Sequence, residues 1–339
     1  MELREELRRS ILGSLKRKHD PVDGFYATED VKEAILAVII SGRHLLLEGP
    51  PGTGKTTLAK ILAKHLHSMK AVEGCRYNCD PRSPHCPDCL SKKSELGVVT
   101  IPGKERFIRV QGSPELMPED LLGDIDPVIA MQYGIHNPQA FTPGQIQRAH
   151  RKILFIDELN RIPERTQNTL IQVLEERTTT IAGFDITIPV DTIVIATQNP
   201  EEYAGVDRIS ETLGDRFERV EIGYPDVEQE ISILRRYARK HRGVKFDDNL
   251  LSEVVNISQS TRVSADISRP ASVRASIATF EQSQSIAQLN SRDTVSHKDI
   301  EKAAMISLQG RAEVSPSSQY YDNPSALFKQ IVQNSMTDE

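Results

Sequence analysis

Residues 49–56 read Gly-Pro-Pro-Gly-Thr-Gly-Lys-Thr and match the pattern G-x-x-x-x-G-K-[ST] of phosphate-binding loops. The segment follows the apolar run Leu45–Leu47 and precedes a predicted helix from Thr57 to Leu66, which is the context that the pattern requires. Gly52 and Gly54 allow backbone N–H groups to turn toward an anion, and the helix N-terminus adds its positive dipole end. The segment therefore predicts a strand, a phosphate-binding loop and a helix of an α/β domain.

The side chains of this loop predict that ATP is bound together with Mg²⁺. Lys55 supplies a positive charge to the β- and γ-phosphates, and the Thr56 hydroxyl is placed to ligate Mg²⁺. The residues expected to hold the nucleotide and its metal ion are Gly49, Pro50, Pro51, Gly52, Thr53, Gly54, Lys55, Thr56, Thr57 and, at a later strand end, Asp157.

Short apolar runs outline the rest of the α/β domain. Runs of three to six residues rich in Ile, Val and Leu are typical of parallel strands that are buried on both faces. Besides Leu45–Leu47, these runs are Phe107–Val110, Ile153–Ile156, Thr192–Ala196 and Val220–Ile222. Because helical patterns separate the runs, we predict a five-stranded parallel sheet flanked by helices.

After Pro225 the pattern contains helices only, predicted over 226–242, 247–259, 270–289 and 297–309. We therefore expect an α/β nucleotide-binding core at 1–224, a small all-helical lid domain at 225–312 and a polar tail at 313–339. One weak amphipathic segment of the tail could serve for docking, and its apolar residues are Leu327, Phe328, Ile331 and Val332.

Two acidic residues, Asp157 and Glu158, directly follow the run Ile153–Ile156. The carboxyl ends of parallel strands form the ligand-binding edge of such a sheet. Asp157 would hold Mg²⁺ and Glu158 would polarise the attacking water, so the pair predicts hydrolysis. After Thr192–Ala196, the amide of Asn199, or alternatively of Gln198, would contact the γ-phosphate and position water. The simpler explanation of Asn-Pro at this point is a turn.

Composition and charge argue against several classes of protein. The 339 residues carry a formal net charge of −6, whereas proteins that coat nucleic acid are usually basic. The longest apolar run, Ala34 to Ile40, is much shorter than the roughly 18 residues of a membrane span. The charged N-terminus lacks the apolar stretch of a signal peptide, so we expect a cytoplasmic protein without membrane contact.

All four cysteines, Cys75, Cys79, Cys86 and Cys89, lie in one polar segment, residues 72–95. Their C-x3-C-x6-C-x2-C spacing suits tetrahedral Zn²⁺ bound by four thiolates, which would fold a segment that has few apolar residues. The alternatives are an iron–sulfur cluster, unligated thiols or a redox disulfide. Four thiolates leave no open position on the metal, so a structural site is expected rather than a catalytic one.

The densest basic run is RRYARKHRGVK, residues 235–245. It could contact phosphate, nucleic acid or an acidic partner, and the simpler interpretation is a solvated helix face above Ile231, Leu234 and Tyr237. Aromatic residues make up 5% of the chain and are not interleaved with the basic runs, which argues against a base-stacking surface.

A connected set of motifs resembles the MoxR-type AAA+ ATPases, close to the branch of the magnesium-chelatase ATPase subunits. The motifs are GPPGTGKTT (49–57), GSPELMPEDLLGDIDP (112–127), AFTPGQIQRAHRKILFIDELNRIPERTQNTLIQVLEERTTTIAG (140–183), IVIATQNPEEY (193–203) and LGDRF (213–217). The resemblance covers residues 22–290. Gly24-Phe25-Tyr26 replaces the valine-glycine-glutamine usual in the family, so the family's adenine contacts do not carry over in detail.

The resemblance implies a homo-oligomeric ring of six subunits whose ATP sites are shared between neighbours. It assigns Arg216 as an arginine finger that acts on the adjacent subunit. It assigns Arg274 as the sensor-2 arginine of the lid, with Arg269 as the alternative. It also implies that an insertion at 115–149 and a hairpin at 175–190, turning at Gly183, point toward the ring's pore or a partner.

The resemblance further implies that the ATPase remodels or matures a partner protein, with metal insertion as one possible outcome. In this family the partner often carries a von Willebrand factor A domain. Two alternatives are a nucleic-acid motor or loader and a nucleotide-switched scaffold. The hairpin Thr178–Pro189 contains no Lys or Arg, which disfavours a motor, and Glu158 and Arg216 disfavour a scaffold without turnover.

Overall fold

The chain forms two compact units. The computed structural model describes residues 2–92, 96–134, 137, 140–181, 186–199 and 209–337. The first unit comprises Met1–Gly49 and Lys55–Ile222, and the second comprises Pro50–Gly54 and Gly223–Glu339. The division after Ile222 lies two residues before the predicted boundary, and the phosphate-binding loop is grouped with the second unit.

The first unit alternates helices and strands. Its helices are α1 (Leu3–Lys16), α2 (Glu29–Ile40), α3 (Lys55–Ala63), α4 (Pro87–Ser91), α5 (Pro118–Leu122), α6 (Pro127–Tyr133), α7 (Gln145–Arg148), α8 (Glu164–Gln167), α9 (Thr169–Glu176) and α10 (Glu211–Gly214). Its strands are β1 (His44–Glu48), β2 (Met69–Val72), β3 (Val98–Ile101), β4 (Phe107–Gln111), β5 (Asp124–Ile125), β6 (Phe141–Thr142), β7 (Lys152–Asp157), β8 (Thr178–Ile181), β9 (Ile186–Pro189), β10 (Thr192–Gln198) and β11 (Phe217–Glu221).

A five-stranded, wholly parallel sheet in the order β11–β1–β10–β7–β4 forms the centre of this unit. These are the five strands that the apolar runs predict, and the α/β class is confirmed. Leu45–Leu47 and Ile153–Ile156 are fully buried, because helices cover both faces of the sheet. The register pairs Gln111 with Asp157 and Glu48 with Gln198, so the carboxyl ends of four strands lie side by side.

Three antiparallel strand pairs extend from the core. Strands β2 and β3 flank the four-cysteine segment, and β5 pairs with β6 inside the predicted insertion at 115–149. Strands β8 and β9 form the predicted hairpin, with Thr178 opposite Pro189. Its turn at Gly183 lies outside the described residues.

The second unit is helical around its own apolar core. Its helices are α11 (Val227–Tyr237), α12 (Asp248–Val263), α13 (Val273–Leu289), α14 (His297–Gln309) and α15 (Pro324–Thr337), and its two short antiparallel strands are β12 (Ile267–Arg269) and β13 (Glu313–Val314). The predicted capping box of Ser296 and Asp299 begins α14. In the described parts of the chain, no helix combines the length and apolar character needed to cross a bilayer.

Two predictions about this unit are corrected by the structure. The first helix was expected to reach residue 242, but α11 ends at Tyr237 and Ala238 is extended. Residues 313–339 were expected to be a polar tail, but they contain β13 and α15, and Leu327, Phe328, Ile331 and Val332 are buried in the core of the unit. The apolar stripe that suggested a docking tail is thus the face by which α15 packs on its own domain.

Candidate nucleotide site and metal centre

The loop at residues 49–54 connects β1 to α3 and has the backbone of an anion cradle. Gly52 and Gly54 have φ angles of +84° and +87°, which residues other than glycine rarely adopt. Lys55 begins α3 and is 8% exposed, and its Nζ lies 2.5 Å from the Gly49 carbonyl oxygen. Thr56 and Thr57 follow in the first turn of α3, so the loop leads directly into the N-terminus of this helix.

Asp157 and Glu158 lie at the carboxyl end of β7, as predicted. Asp157 is the last residue of the strand, and Glu158 adopts a left-handed conformation with φ of 58° and ψ of 57°. Thr197 on the neighbouring strand β10 fixes both residues. Its hydroxyl donates to Asp157 Oδ1 at 2.8 Å and accepts from the Glu158 backbone N–H at 2.8 Å. Thr197 is 1% exposed, so water hardly competes for these bonds.

Asn199 connects the lysine of the loop with the acidic strand end. Lys55 Nζ lies 3.2 Å from Asn199 Oδ1, and Asn199 Nδ2 lies 3.4 Å from Glu158 Oε1. Gln198 is the last residue of β10, and its backbone carbonyl accepts from Gly49 N–H at 3.2 Å. Of the two amides considered, Asn199 is therefore the one whose side chain contacts both functional groups.

Three further side chains contact the carboxylates and were not identified from the sequence. Arg109 Nη2 lies 2.7 Å from Asp157 Oδ2, Arg161 Nη1 lies 2.9 Å from Glu158 Oε2, and Gln111 Nε2 lies 3.4 Å from the same oxygen. Arg109 and Gln111 belong to β4, which pairs with β7. Only a correct strand order could have indicated them, because 48 residues separate Arg109 from Asp157.

These residues fit a magnesium nucleotide. Carboxylate and hydroxyl oxygens are the ligands that Mg²⁺ prefers, and Asp157 with Thr56 offers them. The glycine cradle and Lys55 suit the phosphates, since a side chain at the left-handed positions Gly52 and Gly54 would be strained. Glu158, held by Asn199 and Arg161, offers a carboxylate that can accept a proton from water.

Arg216 makes its intrachain contacts away from these carboxylates. It follows α10, its Nη2 lies 2.7 Å from Glu175 Oε2 on α9, and its Nη1 donates to the Thr212 carbonyl. Its Nε atom is buried and has no hydrogen-bond partner among the described residues. The guanidinium is thus oriented by α9 and α10 rather than by the phosphate-binding loop of its own chain.

Arg274 and Arg269, the two candidates for the lid arginine, differ in their surroundings. Arg269 in β12 pairs with Glu313 in β13 and joins the two short strands. Arg274 lies in the first turn of α13, where its backbone N–H donates to the Ser272 hydroxyl that caps the helix. The paired Arg269 has a structural role, which favours Arg274 for contact with a ligand.

The four cysteines converge on one point, as their spacing predicts. All four Sγ atoms lie within 4.8 Å of one another, and Cys75 Sγ is 3.7 Å from Cys86 Sγ. Four thiolates at about 2.3 Å from a tetrahedral Zn²⁺ would be about 3.8 Å apart. Backbone N–H groups of Cys79 and Cys89 point at Cys75 Sγ and Cys86 Sγ, at 3.5 and 3.4 Å. The donor set and its geometry fit a tetrahedral metal ion.

Protonation of these thiols shows why a cation suits the site. Hydrogen bonds from the Cys79 and Cys86 thiols lower the pKa of Cys75. The bond that Cys86 gives to Cys75 raises the pKa of Cys86, and burial raises the pKa of Cys89 to about 12. A bound cation would lower the pKa of all four thiols, because a positive charge favours the thiolate form.

Hydrogen bonds and a ring contact connect the four-cysteine segment to the residues just before β7. Asn78 Nδ2 donates to the Arg148 carbonyl at 2.9 Å, and Arg151 Nη1 donates to the Asn78 carbonyl at 3.3 Å. The His85 ring contacts the ring of His150, and the centroids are 4.7 Å apart. Burial lowers the pKa of His150 to about 3, so this contact is between uncharged rings at neutral pH.

Comparison with known proteins assigns most of the chain. Residues 92–219 match the ATPase family associated with various cellular activities (AAA), residues 259–331 match the AAA lid domain, and residues 24–78 match magnesium chelatase, subunit ChlI. The chain belongs to the MoxR-type AAA+ ATPases, close to the magnesium-chelatase ATPase subunits. Residues 79–91, with three of the four cysteines, lie between two of the matched regions of this AAA+ chain.

Several relatives of this AAA+ ATPase have been named. The uncharacterized protein YeaC of Bacillus subtilis is 26% identical over 86% of this chain and 84% of its own length. The magnesium-chelatase 38 kDa subunit of Acidiphilium rubrum is 34% identical over 62% of this chain and 60% of its own. The chaperone MoxR1 of Mycobacterium tuberculosis is 27% identical over 61% and 44%. Among solved structures, NtrX from Brucella abortus in complex with ATP has the same fold, with a TM-score of 0.52, 18% identity, and coverage of 96% of this chain and 66% of its own.

Proposed function

We propose that this chain is a Mg²⁺-dependent ATP hydrolase that works in a homo-oligomeric ring and uses ATP turnover to remodel or mature a partner protein. The observation that carries the hydrolase proposal is the continuous contact from Lys55 through Asn199 to Glu158. A group that binds the γ-phosphate and a group that activates water are thereby held on one amide. A chain that only binds nucleotide has no need of this arrangement.

Each side chain has a distinct role in the proposed reaction. Lys55 and the glycine cradle orient the β- and γ-phosphates, and Asp157 with Thr56 would hold Mg²⁺, which neutralises charge on the phosphate oxygens. Glu158 would accept a hydrogen bond from the attacking water, and Asn199 orients that carboxylate through its contact with Glu158 Oε1. Arg161 and Gln111 hold the second oxygen of Glu158 and so limit its rotation.

The test of the hydrolase proposal compares Glu158→Gln with Glu164→Gln, an exposed glutamate on α8. We expect Glu158→Gln to keep ATP affinity and to lose at least about a hundredfold in turnover, within the range for loss of a general base. Glu164→Gln should retain wild-type turnover. Near-normal hydrolysis by Glu158→Gln would contradict the role of this carboxylate.

An experiment that mixes two variants tests the ring. Arg216 contacts α9 and α10 and not Asp157 or Glu158 in the described part of its own chain, which suits a finger that acts on a neighbour. Arg216→Ala and Lys55→Ala should each be inactive, and a mixture should recover part of the activity because one interface regains all its groups. No recovery at any mixing ratio would contradict shared sites. Arg274→Ala should weaken turnover without disturbing assembly.

We assign Zn²⁺ to Cys75, Cys79, Cys86 and Cys89, as a structural metal that organises residues 72–92. Metal analysis of the purified protein should find one zinc per chain, and Cys79→Ser should lose it, whereas the control Ser83→Ala in the same segment should not. Iron in place of zinc would reassign the site to an iron–sulfur cluster. A metal-free protein with full stability would overturn the proposal.

The proposed function also includes a partner protein and a cellular location. We propose a cytoplasmic ring that acts on a protein with a von Willebrand factor A domain, supported by the likeness to MoxR1 and to magnesium-chelatase subunits. Glu158→Gln held in ATP should retain such a protein from a native lysate, and Lys55→Ala should not retain it. Recovery of replication or repair factors on DNA instead would favour a nucleic-acid motor.

A further inference from the structure

The basic run at residues 235–245 is not used by the proposed ATPase cycle. It was interpreted as a solvated helix face, but α11 ends at Tyr237 and the chain continues as a loop up to the start of α12. Its cationic side chains are Arg235, Arg236, Arg239, Lys240, Arg242 and Lys245. The run holds no acidic residue, in a chain whose net charge is −6.

A cleft of about 220 Å³ lies where this loop crosses the second unit. Its walls are formed by Arg235, Lys240, Val244, Phe246, Leu251 and Phe280. Leu251 and Phe280 are 4% and 3% exposed and belong to the core, and the Phe246 and Phe280 rings pack with centroids 4.5 Å apart. The cleft therefore has an apolar floor and a basic rim.

The loop that forms the rim is held in place by α13. Gln284, which is 1% exposed, accepts from the His241 backbone N–H at 2.8 Å and donates to the Arg239 carbonyl at 3.1 Å. The Arg239 N–H donates to Glu281 Oε1 at 2.9 Å, and farther along Lys245 N–H donates to the Asp293 carbonyl at 2.7 Å. A ligand would meet a rim that is already ordered, which lowers the entropic cost of binding.

The side chains around the cleft carry a net positive charge, even after the ion pair between two of its lining residues is taken into account. One carboxylate, Asp248, lines the cleft, and its Oδ2 lies 2.9 Å from Arg235 Nη2. Glu281 accepts the Arg239 backbone N–H. Lys240 lines the cleft, and Arg242 and Lys245, its neighbours in the sequence, add positive charge beyond that pair. Acidic groups on a ligand would complement this rim.

We propose that this cleft binds an acidic peptide segment of a partner protein that inserts one large apolar side chain. Its volume is below the roughly 300–1,000 Å³ of pockets for small molecules, and it suits a single side chain of an extended peptide. The inserted side chain packs on Val244, Phe246 and Leu251, and a flanking carboxylate faces Lys240. A nucleic acid fits less well, because the Phe280 ring is buried and Phe246 alone would offer a ring face for base stacking.

The test measures binding of a fluorescein-labelled nine-residue peptide, made of Asp and Glu with one central Phe, to the full-length protein by fluorescence anisotropy. Replacing the Phe of the peptide by Ser should weaken binding at least about tenfold, since burial of a Phe side chain is worth about 1.5–3 kcal/mol. Lys240→Glu in the protein should weaken binding several-fold, and added salt should act in the same direction.

Two matched variants separate the cleft from general charge attraction. Val244→Glu places a carboxylate at the apolar wall and should abolish binding, and its unchanged thermal transition would show that the fold is intact. Lys302→Glu makes the same charge change as Lys240→Glu on the exposed face of α14 and should bind as wild type. Equal binding of the Ser-containing peptide, equal loss in Lys302→Glu, or tighter binding of an oligothymidylate competitor would overturn the proposal.

Discussion

Thr197→Val removes a single hydroxyl from the carboxyl edge of the sheet and should raise the Mg²⁺ concentration that ATP hydrolysis requires. The Thr197 hydroxyl donates to Asp157 Oδ1 and accepts from the Glu158 N–H, both at 2.8 Å. Valine has nearly the same shape but neither hydrogen-bonding function, so the side chain still fills its buried position. Within the described part of the chain, the Asp157 carboxylate would then keep its bond to Arg109, which orients the other carboxylate oxygen.

The size of the Mg²⁺ effect follows from the hydrogen bond to Asp157 that valine cannot make. A hydrogen bond to a charged group contributes about 1.5–3 kcal/mol, and 1.4 kcal/mol corresponds to a factor of ten. Loss of the bond to Asp157 should therefore raise the Mg²⁺ concentration for half-maximal activity by about 10–100-fold, the range found for groups that orient metal ligands. The unpaired Glu158 N–H should in addition lower the free energy of unfolding by about 1–3 kcal/mol.

The assay titrates Mg²⁺ in ATP hydrolysis at saturating ATP and records thermal unfolding of the same samples. Thr192→Val is the matched control, because Thr192 lies on the same strand, is also 1% exposed, and donates to the Lys152 carbonyl at 2.8 Å. It should lose stability without a change in Mg²⁺ dependence. Thr197→Ser should restore the wild-type titration.

Wild-type Mg²⁺ dependence of a folded Thr197→Val protein would contradict the role of this hydroxyl at Asp157. An equal shift of the titration in Thr192→Val would contradict it too, because the effect would then come from a general loosening of β10.

Three other perturbations have defined outcomes. Arg262→Met leaves Glu230, which is fully buried, without the guanidinium that binds it at 2.8 Å. The free energy of unfolding of the second unit should therefore fall by about 3–5 kcal/mol, and the added change Glu230→Gln should restore part of this loss. Burial opposes ionisation of Asp299, but hydrogen bonds from Arg292 and Ser296 lower its pKa to about 2. Its contribution of about 2 kcal/mol is therefore complete above pH 4 and disappears as pH falls toward 2, which urea unfolding of wild type and Asp299→Asn at pH 5, 4 and 3 would detect. Gly112→Ala would place Cβ 2.1 Å from the Glu158 carbonyl oxygen, so it should abolish hydrolysis while ATP binding, measured by fluorescent-nucleotide titration, persists.

Much of the nucleotide site follows from local sequence. The loop at 49–56 needs only adjacent residues to form, because its glycines, its lysine and the helix N-terminus are consecutive in the chain. The strands could also be predicted from the sequence, since burial on both faces requires unbroken apolar runs such as Leu45–Leu47. The cysteine spacing indicated convergence for a related reason: all four thiols lie within 15 consecutive residues.

The sequence by itself thus determined the α/β class, the phosphate-binding loop, the acidic strand end and the four-cysteine centre. Only the tertiary structure decided that Arg109 and Thr197 hold Asp157, because these contacts join strands 40–48 residues apart and depend on strand order and register. It also decided that α15 packs on its own domain and that α11 ends at Tyr237. In both cases burial against distant helices, and the anchoring of Arg239 and His241 by Gln284, outweigh the local preference that the residues show in isolation.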